Sequence, residues 1–324
     1  MSKKGAQKTV DLATLNTVRF GHTYLMDVKR GAYQVDDLNH LNGYLNYITN
    51  QDRQNAPTYK VGVMLVCINQ PYWQYAIPVI QGIRQFFLPG HDTEIMLWSD
   101  IQNFPEAKHV DYGCTVFPTE SVGWPYPTLM RYHMFLEQKD YLEKFDYLFY
   151  IDLDMRIVNI VGDEILGNGL TGAEHPMYSL DRKFIPPYEP NPASASYIPR
   201  PGKVVTEDGK PRFKPLYFAG GFQGGKTEDF VTAMEKLKEM IDSDLEQNYI
   251  PIWNDESAWN KYLFDNPPDV VLDPSYVYPD SMIDGYYKKV WGRDYTPRIV
   301  TLTKPFTTSA EGGQAAAQLM NQLT

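Results

Sequence analysis

The chain has 324 residues, enough for one large α/β domain or two smaller ones, and its 43% hydrophobic and 22% charged residues are those of a globular protein rather than a disordered one. The formal net charge of −10 excludes free nucleic acid as a partner, because phosphate neutralisation requires a basic face. Cys67 and Cys114 stand in apolar or Gly-rich surroundings without metal-ligand spacing and read as free thiols in a reducing compartment.

Residues 1–56 are polar and mixed and form an N-terminal extension. Its start, "MSKKGAQKTVDLATLN", lacks the apolar centre of a signal peptide, and no window approaches a membrane span. The expectation is a soluble, cytoplasmic protein. "YKVGVMLVCI", Tyr59 to Ile68, is a continuous β-branched and apolar run, the pattern of a strand buried on both faces. "QPYWQYAIPVIQGIRQFF" reads as a helix that Pro78 kinks or shortens, and Pro89-Gly90 as a turn. "TEIMLWSD" and "CTVFPTE" read as strands, "PTLMRYHMFLEQKDYLEK" as one helix and "FDYLFYID" as the next strand. Strands that alternate with helices predict a mostly parallel, doubly wound sheet with helices on both faces.

The second half begins differently. "IPPYEPNPASASYIPRPG" carries six prolines in 18 residues and is expected to be an ordered loop over a site. "KVVTEDGKPRFKPLYFAGGF" suggests a hairpin turning near Asp208-Gly209. In "DFVTAMEKLKEMIDSDLEQ", Phe230, Met234, Leu237, Ile241 and Leu245 form one helical stripe. The small, polar end, 305–324, reads as a tail.

The chemistry concentrates in three places. Asp152 and Asp154 follow an apolar strand with one residue between them, so strand alternation projects both to the same side of its carboxyl end. In open α/β sheets that edge binds ligands. Two facing carboxylates repel, and a divalent cation with a taste for oxygen, Mn²⁺ or Mg²⁺, relieves the repulsion while sharing substrate phosphates. The alternative is a plain turn with both groups solvated. "FAGGFQGG" packs four glycines into eight residues, for a close backbone approach to a ligand or for a tight turn. "WNDESAWNKYL" puts Asp255 and Glu256 just before an apparent helix, as a site or as an ordinary acidic helix start.

Five stretches in order resemble glycosyltransferase family 6, which includes the histo-blood-group A and B transferases and α-1,3-galactosyltransferase. They are "FDYLFYIDLDM", "EHPMYS", "YEPNPASASYIP", "GGFQGG" and "WNDESAWNKYL". The resemblance implies a GT-A fold over 57–304, with a nucleotide-sugar half at 57–160 and an acceptor-binding half at 161–304. It implies retaining, metal-dependent transfer of GalNAc or Gal from a UDP-sugar in α-1,3 linkage to a galactoside or oligosaccharide acceptor. Another donor such as UDP-Glc, UDP-sugar hydrolysis, or an inactive carbohydrate-binding relative are the alternatives.

By the same resemblance Asp152 and Asp154 hold Mn²⁺ or Mg²⁺, with Leu153 between them at the donor. Glu256 is the catalytic carboxylate beneath the anomeric carbon and also meets the acceptor. Cys67, Ile68, Asn69 and Tyr72 hold uridine, and Arg131 and Asp255 hold the donor. Ala219 and Gly221, around Gly220, shape the pocket for the sugar's C2 substituent. His175 and Trp253 meet the acceptor. Arg293, Arg298 and Lys304 are candidates for the basic residues that cover UDP. Two departures bear on recognition: Gln223 replaces an aromatic, its amide a candidate partner for a sugar hydroxyl, and Asn254 stands where a His is usual. The lack of an anchor suggests a soluble enzyme of the bacterial or phage type.

Overall fold

The computed structural model describes residues 57–103, 113–178, 186–199, 203–205, 211–213, 216–282 and 295–303. The N-terminal extension, the tail, the Asp208-Gly209 turn, Arg293 and Lys304 lie outside the described residues.

The apolar run at Tyr59 becomes β1 (Lys60–Cys67). Val61, Val63, Leu65 and Cys67 enter one core cluster and Met64 the other, as a period of two dictates when both faces are covered. β2 (Asp92–Ser99), β3 (Thr115–Pro118) and β4 (Tyr147–Ile151) extend the sheet in parallel. The remaining described strands are β5 (Met155–Ile157), β6 (Leu170–Glu174), β7 (Lys203–Val205), β8 (Pro211–Phe213), β9 (Phe218–Lys226), β10 (Val270–Leu272), β11 (Tyr278–Pro279) and β12 (Ile299–Thr301). The main sheet has the order β10-β6-β9-β4-β1-β2-β3. β9 runs antiparallel to β4 and β6, and the other pairings in this sheet are parallel. The expected mostly parallel α/β sheet is therefore present, with β4, β1, β2 and β3 of 57–160 side by side and β9, β6 and β10 of 161–304 beyond β4.

The glycine-rich stretch does not make the tight turn that is one of its two readings; it is the body of β9, a buried strand between two others. The hairpin expected over 203–222 is shorter: β7 pairs with β8 only as far as Phe213, and the chain from Phe218 joins the main sheet. Glycine is used here for proximity. A Cβ on Gly224 would lie 2.4 Å from the Leu148 carbonyl oxygen of β4.

The helices cover both faces. α1 (Gln70–Phe86) continues past Pro78 and packs against one side of the sheet. The single helix expected over 127–144 is broken into α2 (Tyr126–Leu129), α3 (Arg131–Leu136) and α4 (Lys139–Leu142). The backbone leaves helical geometry at Met130 (φ −90°, ψ 4°) and Gln138 (φ −110°, ψ 24°). The first break accompanies the burial of Arg131, whose guanidinium is drawn to carboxylates inside the protein. α5 (Thr227–Glu246) buries Phe230, Met234, Leu237 and Ile241 as its stripe predicts. With α3 and α6 (Asp255–Asp265) it lines the other side of the sheet.

The proline-rich segment is irregular where described, yet firmly attached. Buried Glu189 accepts from Tyr249 OH (2.6 Å) and Ile252 N–H (2.8 Å). Asp244 of α5, also buried, accepts from Ser194 OH and Ala195 N–H, both at 2.8 Å. No helix among the described residues is long and apolar enough to cross a membrane.

The proximity role of glycine is testable. Gly224→Ala meets a backbone atom that cannot swing away, so it should cost about 1–3 kcal/mol in denaturant unfolding. Gly123→Ala, with nothing within 4 Å of the new Cβ, should change stability little.

Candidate active site

β4 stops at Ile151, and Asp152-Leu153-Asp154 forms the turn into β5, closed by Met155 N–H donating to the Asp152 carbonyl at 3.0 Å. Strand alternation therefore does not align the pair; the turn does. Nor are the carboxylates freely solvated. Asp154 is 6% exposed and the Asp152 side chain 33%. Both line a cavity of about 360 Å³ together with Leu153, Ile68, Asn69, Tyr72 and Arg131. The turn is tied from two directions: Asp152 N–H donates to Gly221 O (2.9 Å), and Leu302 N–H, just after β12, donates to Asp154 O (3.0 Å).

The opposite wall grows from the end of β1. Asn69 adopts φ 75°, in the left-handed region that Asn tolerates better than most residues. Its N–H donates to the buried Asp100 carboxylate (3.1 and 3.2 Å) and its amide to Val122 O (3.0 Å). Cys67 is placed otherwise: its side chain is in the core, 1% exposed, and burial followed by the nearby Asp100 pushes its thiol up to about 12.

Arg131 joins the two ends of the site. Its Nε lies 3.3 Å from Asp255 Oδ2 and its Nη1 lies 3.6 Å from Asp152 Oδ1. Its guanidinium sits 4.2 Å from the centre of the Tyr150 ring, and the Tyr150 hydroxyl itself donates to Asp152. Burial alone would lower the guanidinium, but Asp255, Tyr150 and Asp152 outweigh it and hold Arg131 well above its ordinary value. Nη1 of Arg131 and Oδ2 of Asp255 are buried without a hydrogen bond of good geometry.

Asp255 and Glu256 open α6. Glu256 Oε1 accepts from Tyr217 OH and Oε2 from Gly220 N–H, both at 2.7 Å. Burial raises Glu256 to about 7 against the opposing effect of those two bonds. Burial likewise raises Asp255 to about 7, opposed by Arg131 and assisted by Asp152 and Glu256.

The glycines explain how these groups meet. A Cβ on Gly220 would stand 3.0 Å from Glu256 Cβ, and one on Gly221 would stand 2.9 Å from Asp152 Oδ2. Enlarging Gly221 would thus displace Asp152 rather than only narrow a sugar pocket. Ala219 packs in the α1-side core, 7% exposed. Gln223 is fully buried, with its amide engaged by Tyr132 and Gly220, so it is not the sugar contact expected.

His175 reaches the same centre through Tyr217, its ring 5.7 Å away. Its Nδ1 accepts from Met177 N–H (3.2 Å), which leaves the proton on Nε2 as a donor, and burial lowers it to about 4, so it is neutral at ordinary pH. Trp253 precedes α6, its indole N–H buried without a partner among the described residues. Arg298 pairs with Glu164 (3.3 Å) and donates to Ile160 O, at the end of β12 away from Asp154.

Sequence reasoning missed Asp100, Tyr217 and Trp124, which is half exposed on the cavity wall. Only Trp124 carried a signal, an aromatic between Gly and Pro in "VGWPYP". Asp152 and Asp154 are the residues that fit a metal. Among the described residues no third His, Cys, Asp or Glu completes a cage. Two carboxylates on one cavity suit a hard cation that takes its other oxygens from a phosphate ligand and water.

A family profile, Glycosyltransferase family 6, matches residues 46–290. The chain belongs to glycosyltransferase family 6. The described α/β fold is the GT-A-like fold of that family, and the domain is a glycosyltransferase domain. It is 32% identical over 212 residues to histo-blood group ABO system transferase 1 of Rattus norvegicus, covering 63% of this chain and 57% of that protein. It is 27% identical over 235 residues to the O-antigen biosynthesis glycosyltransferase WbnI of Escherichia coli, covering 72% of this chain and 94% of WbnI. A third relative is globoside alpha-1,3-N-acetylgalactosaminyltransferase 1 of Homo sapiens, 24% identical over 226 residues, 68% of this chain and 61% of that protein. The chain thus spans less than two thirds of the two mammalian relatives.

The raised carboxylates make a stability prediction for the ligand-free protein. A carboxyl lifted from its ordinary range to about 7 favours folding when protonated and loses that contribution as pH rises through about 7. Gln at 256 keeps both hydrogen bonds, since its oxygen can face Gly220 N–H and its amide the Tyr217 oxygen. Glu256→Gln should therefore melt above wild type at pH 8 by a few degrees and match it near pH 5. A difference that does not vary with pH would contradict the burial-raised carboxyl.

Proposed function

We propose that the protein is a metal-dependent, retaining glycosyltransferase that moves GalNAc or Gal from a UDP-sugar, in α-1,3 linkage, to a β-galactoside-type acceptor. The observation that carries this reading is Glu256, held by Gly220 N–H and Tyr217 OH on the strand whose next residue, Gly221, abuts Asp152. A carboxylate beside a diphosphate site is the arrangement that retention requires, either as the nucleophile or as the anion facing an oxocarbenium ion.

In this reading the nucleotide occupies the cavity of Ile68, Asn69, Tyr72 and Leu153. Asp152 and Asp154 would hold Mn²⁺ or Mg²⁺, which when bound would supply positive charge beside the diphosphate. Arg131 and Asp255 orient the donor sugar; each keeps a buried polar atom without a hydrogen bond, Nη1 and Oδ2, which supports that reading. Glu256 faces the anomeric carbon. His175, through Nε2–H, and Trp253, through its ring, meet the acceptor sugar. Two glycines in succession let Glu256 and Asp152 approach the β9 backbone closely beside the proposed sugar site. The names of the globoside relatives, which specify N-acetylgalactosamine and an α-1,3 linkage, support the same donor and linkage.

The test is UDP release and acceptor glycosylation from a panel of UDP-sugars, with and without β-galactosides. UDP-GalNAc should serve at least as well as UDP-Gal, and a clear preference for UDP-Gal or UDP-Glc would refute the donor assignment. EDTA should abolish transfer and Mn²⁺ restore it. An Asp154→Asn enzyme with unchanged activity and no response to chelator would refute the metal site. Glu256→Gln should lose on the order of 10²-fold or more in kcat while keeping donor binding much better than turnover.

A further inference from the structure

Between Ala219 and Gly221, β9 leaves both of its ladders. Its register with β4 ends at Ile151↔Phe222, and its register with β6 shifts between Gly172 and Glu174. Side chains take up the Gly220 backbone groups instead. Gly220 N–H donates to Glu256 Oε2 at 2.7 Å, and Gly220 C=O accepts from Gln223 Nε2 at 2.9 Å. Gln223 Oε1 in turn accepts from Tyr132 OH at 2.8 Å. Tyr132 and Gln223 are fully buried, so water does not compete for these bonds.

Glycine has the widest backbone freedom of any residue, and nothing in Gly220 itself aims its N–H. The groups on either side of its Cα must be aimed from outside. We infer that Gln223 is a positioning residue for Glu256, acting through Gly220: anchored on Tyr132, it fixes the Gly220 carbonyl and thereby the N–H that holds the carboxylate. The inference rests on the reading of Glu256 as the group that meets the anomeric carbon. It assigns Gln223 no contact with the sugar, because both ends of its amide are already engaged. It also ties Glu256 to α3, where Tyr132 follows the donor-facing Arg131 in the chain.

The measurement is steady-state kinetics on the folded full chain with UDP-GalNAc and a β-galactoside. Gln223→Met keeps the volume and removes both hydrogen bonds. It should lower kcat about tenfold or more, since small misplacements at a reacting centre are costly, while donor KM stays within about threefold. Gln223→Glu, protonated in this buried position, can still donate to Gly220 O and accept from Tyr132, and should recover most of kcat. A merely structural Gln223 would lower melting temperature and yield but leave kcat per folded enzyme intact. Wild-type kcat in Gln223→Met, or Gln223→Glu no better than Gln223→Met, overturns the inference. If Gln223→Met does not fold, Tyr132→Phe removes the anchor with little change of shape; it should lower kcat about threefold at constant KM, and an unchanged kcat overturns the inference. A Glu256→Gln enzyme as active as wild type would instead overturn the reading of Glu256 beneath it. An inactive Glu256→Gln beside a wild-type-like Gln223→Met overturns only the relay.

Discussion

The site depends on one buried cation. Arg131 lies within 3.6 Å of Asp152, at the end of β4, and within 3.3 Å of Asp255, at the start of α6. Those carboxylates come from distant parts of the chain and repel each other, as the upward push of Asp152 on Asp255 indicates. An unpaired charge in such surroundings is costly, so guanidinium and carboxylates are each tolerable only in the others' presence. Arginine suits the position because its planar fork meets two partners while its face rests on Tyr150. Lysine would carry the charge without the geometry.

The same ion ties the cavity to the start of α6. Arg131 lines the cavity together with Asp152 and Asp154, and its partner Asp255 is the immediate neighbour of Glu256. Burial pushes both carboxyls up to about 7, so a ligand that brought positive charge or hydrogen-bond donors would favour their ionised forms.

Much of this architecture was legible in the chain. Continuous apolar runs marked β1, β2 and β4, the stripe through Phe230 and Ile241 marked α5, and paired Asp152 and Asp154 marked the strand end that opens on the cavity. Local pattern failed where long-range contact decides. Nothing near Arg131 announces the break at Met130 that accompanies its burial, since the carboxylates it meets, Asp152 and Asp255, are remote in the chain. The glycines of β9 leave a tight turn open because propensity counts against Gly in strands, whereas crowding by Leu148, Glu256 and Asp152 excludes side chains there. Tyr217, Asp100 and Gln223 each act through one partner far away in sequence, and no spacing rule reaches them.

The reversed direction of β9 also bears on how the protein is made. β6 cannot join the sheet beside β4, because β9 stands between them and lies later in the chain. During synthesis β1 to β4 can assemble early, but the edge of β4 stays open until residues 218–226 arrive. An unpaired edge of that kind is where nascent chains associate wrongly. Glu256 and Asp255 are synthesised later still, so the charges of the site come together only after β9 has been made. A ribosome-bound or truncated chain that ends before 226 would carry β1 to β4 and the Asp152 turn without the strand that links them to Glu256.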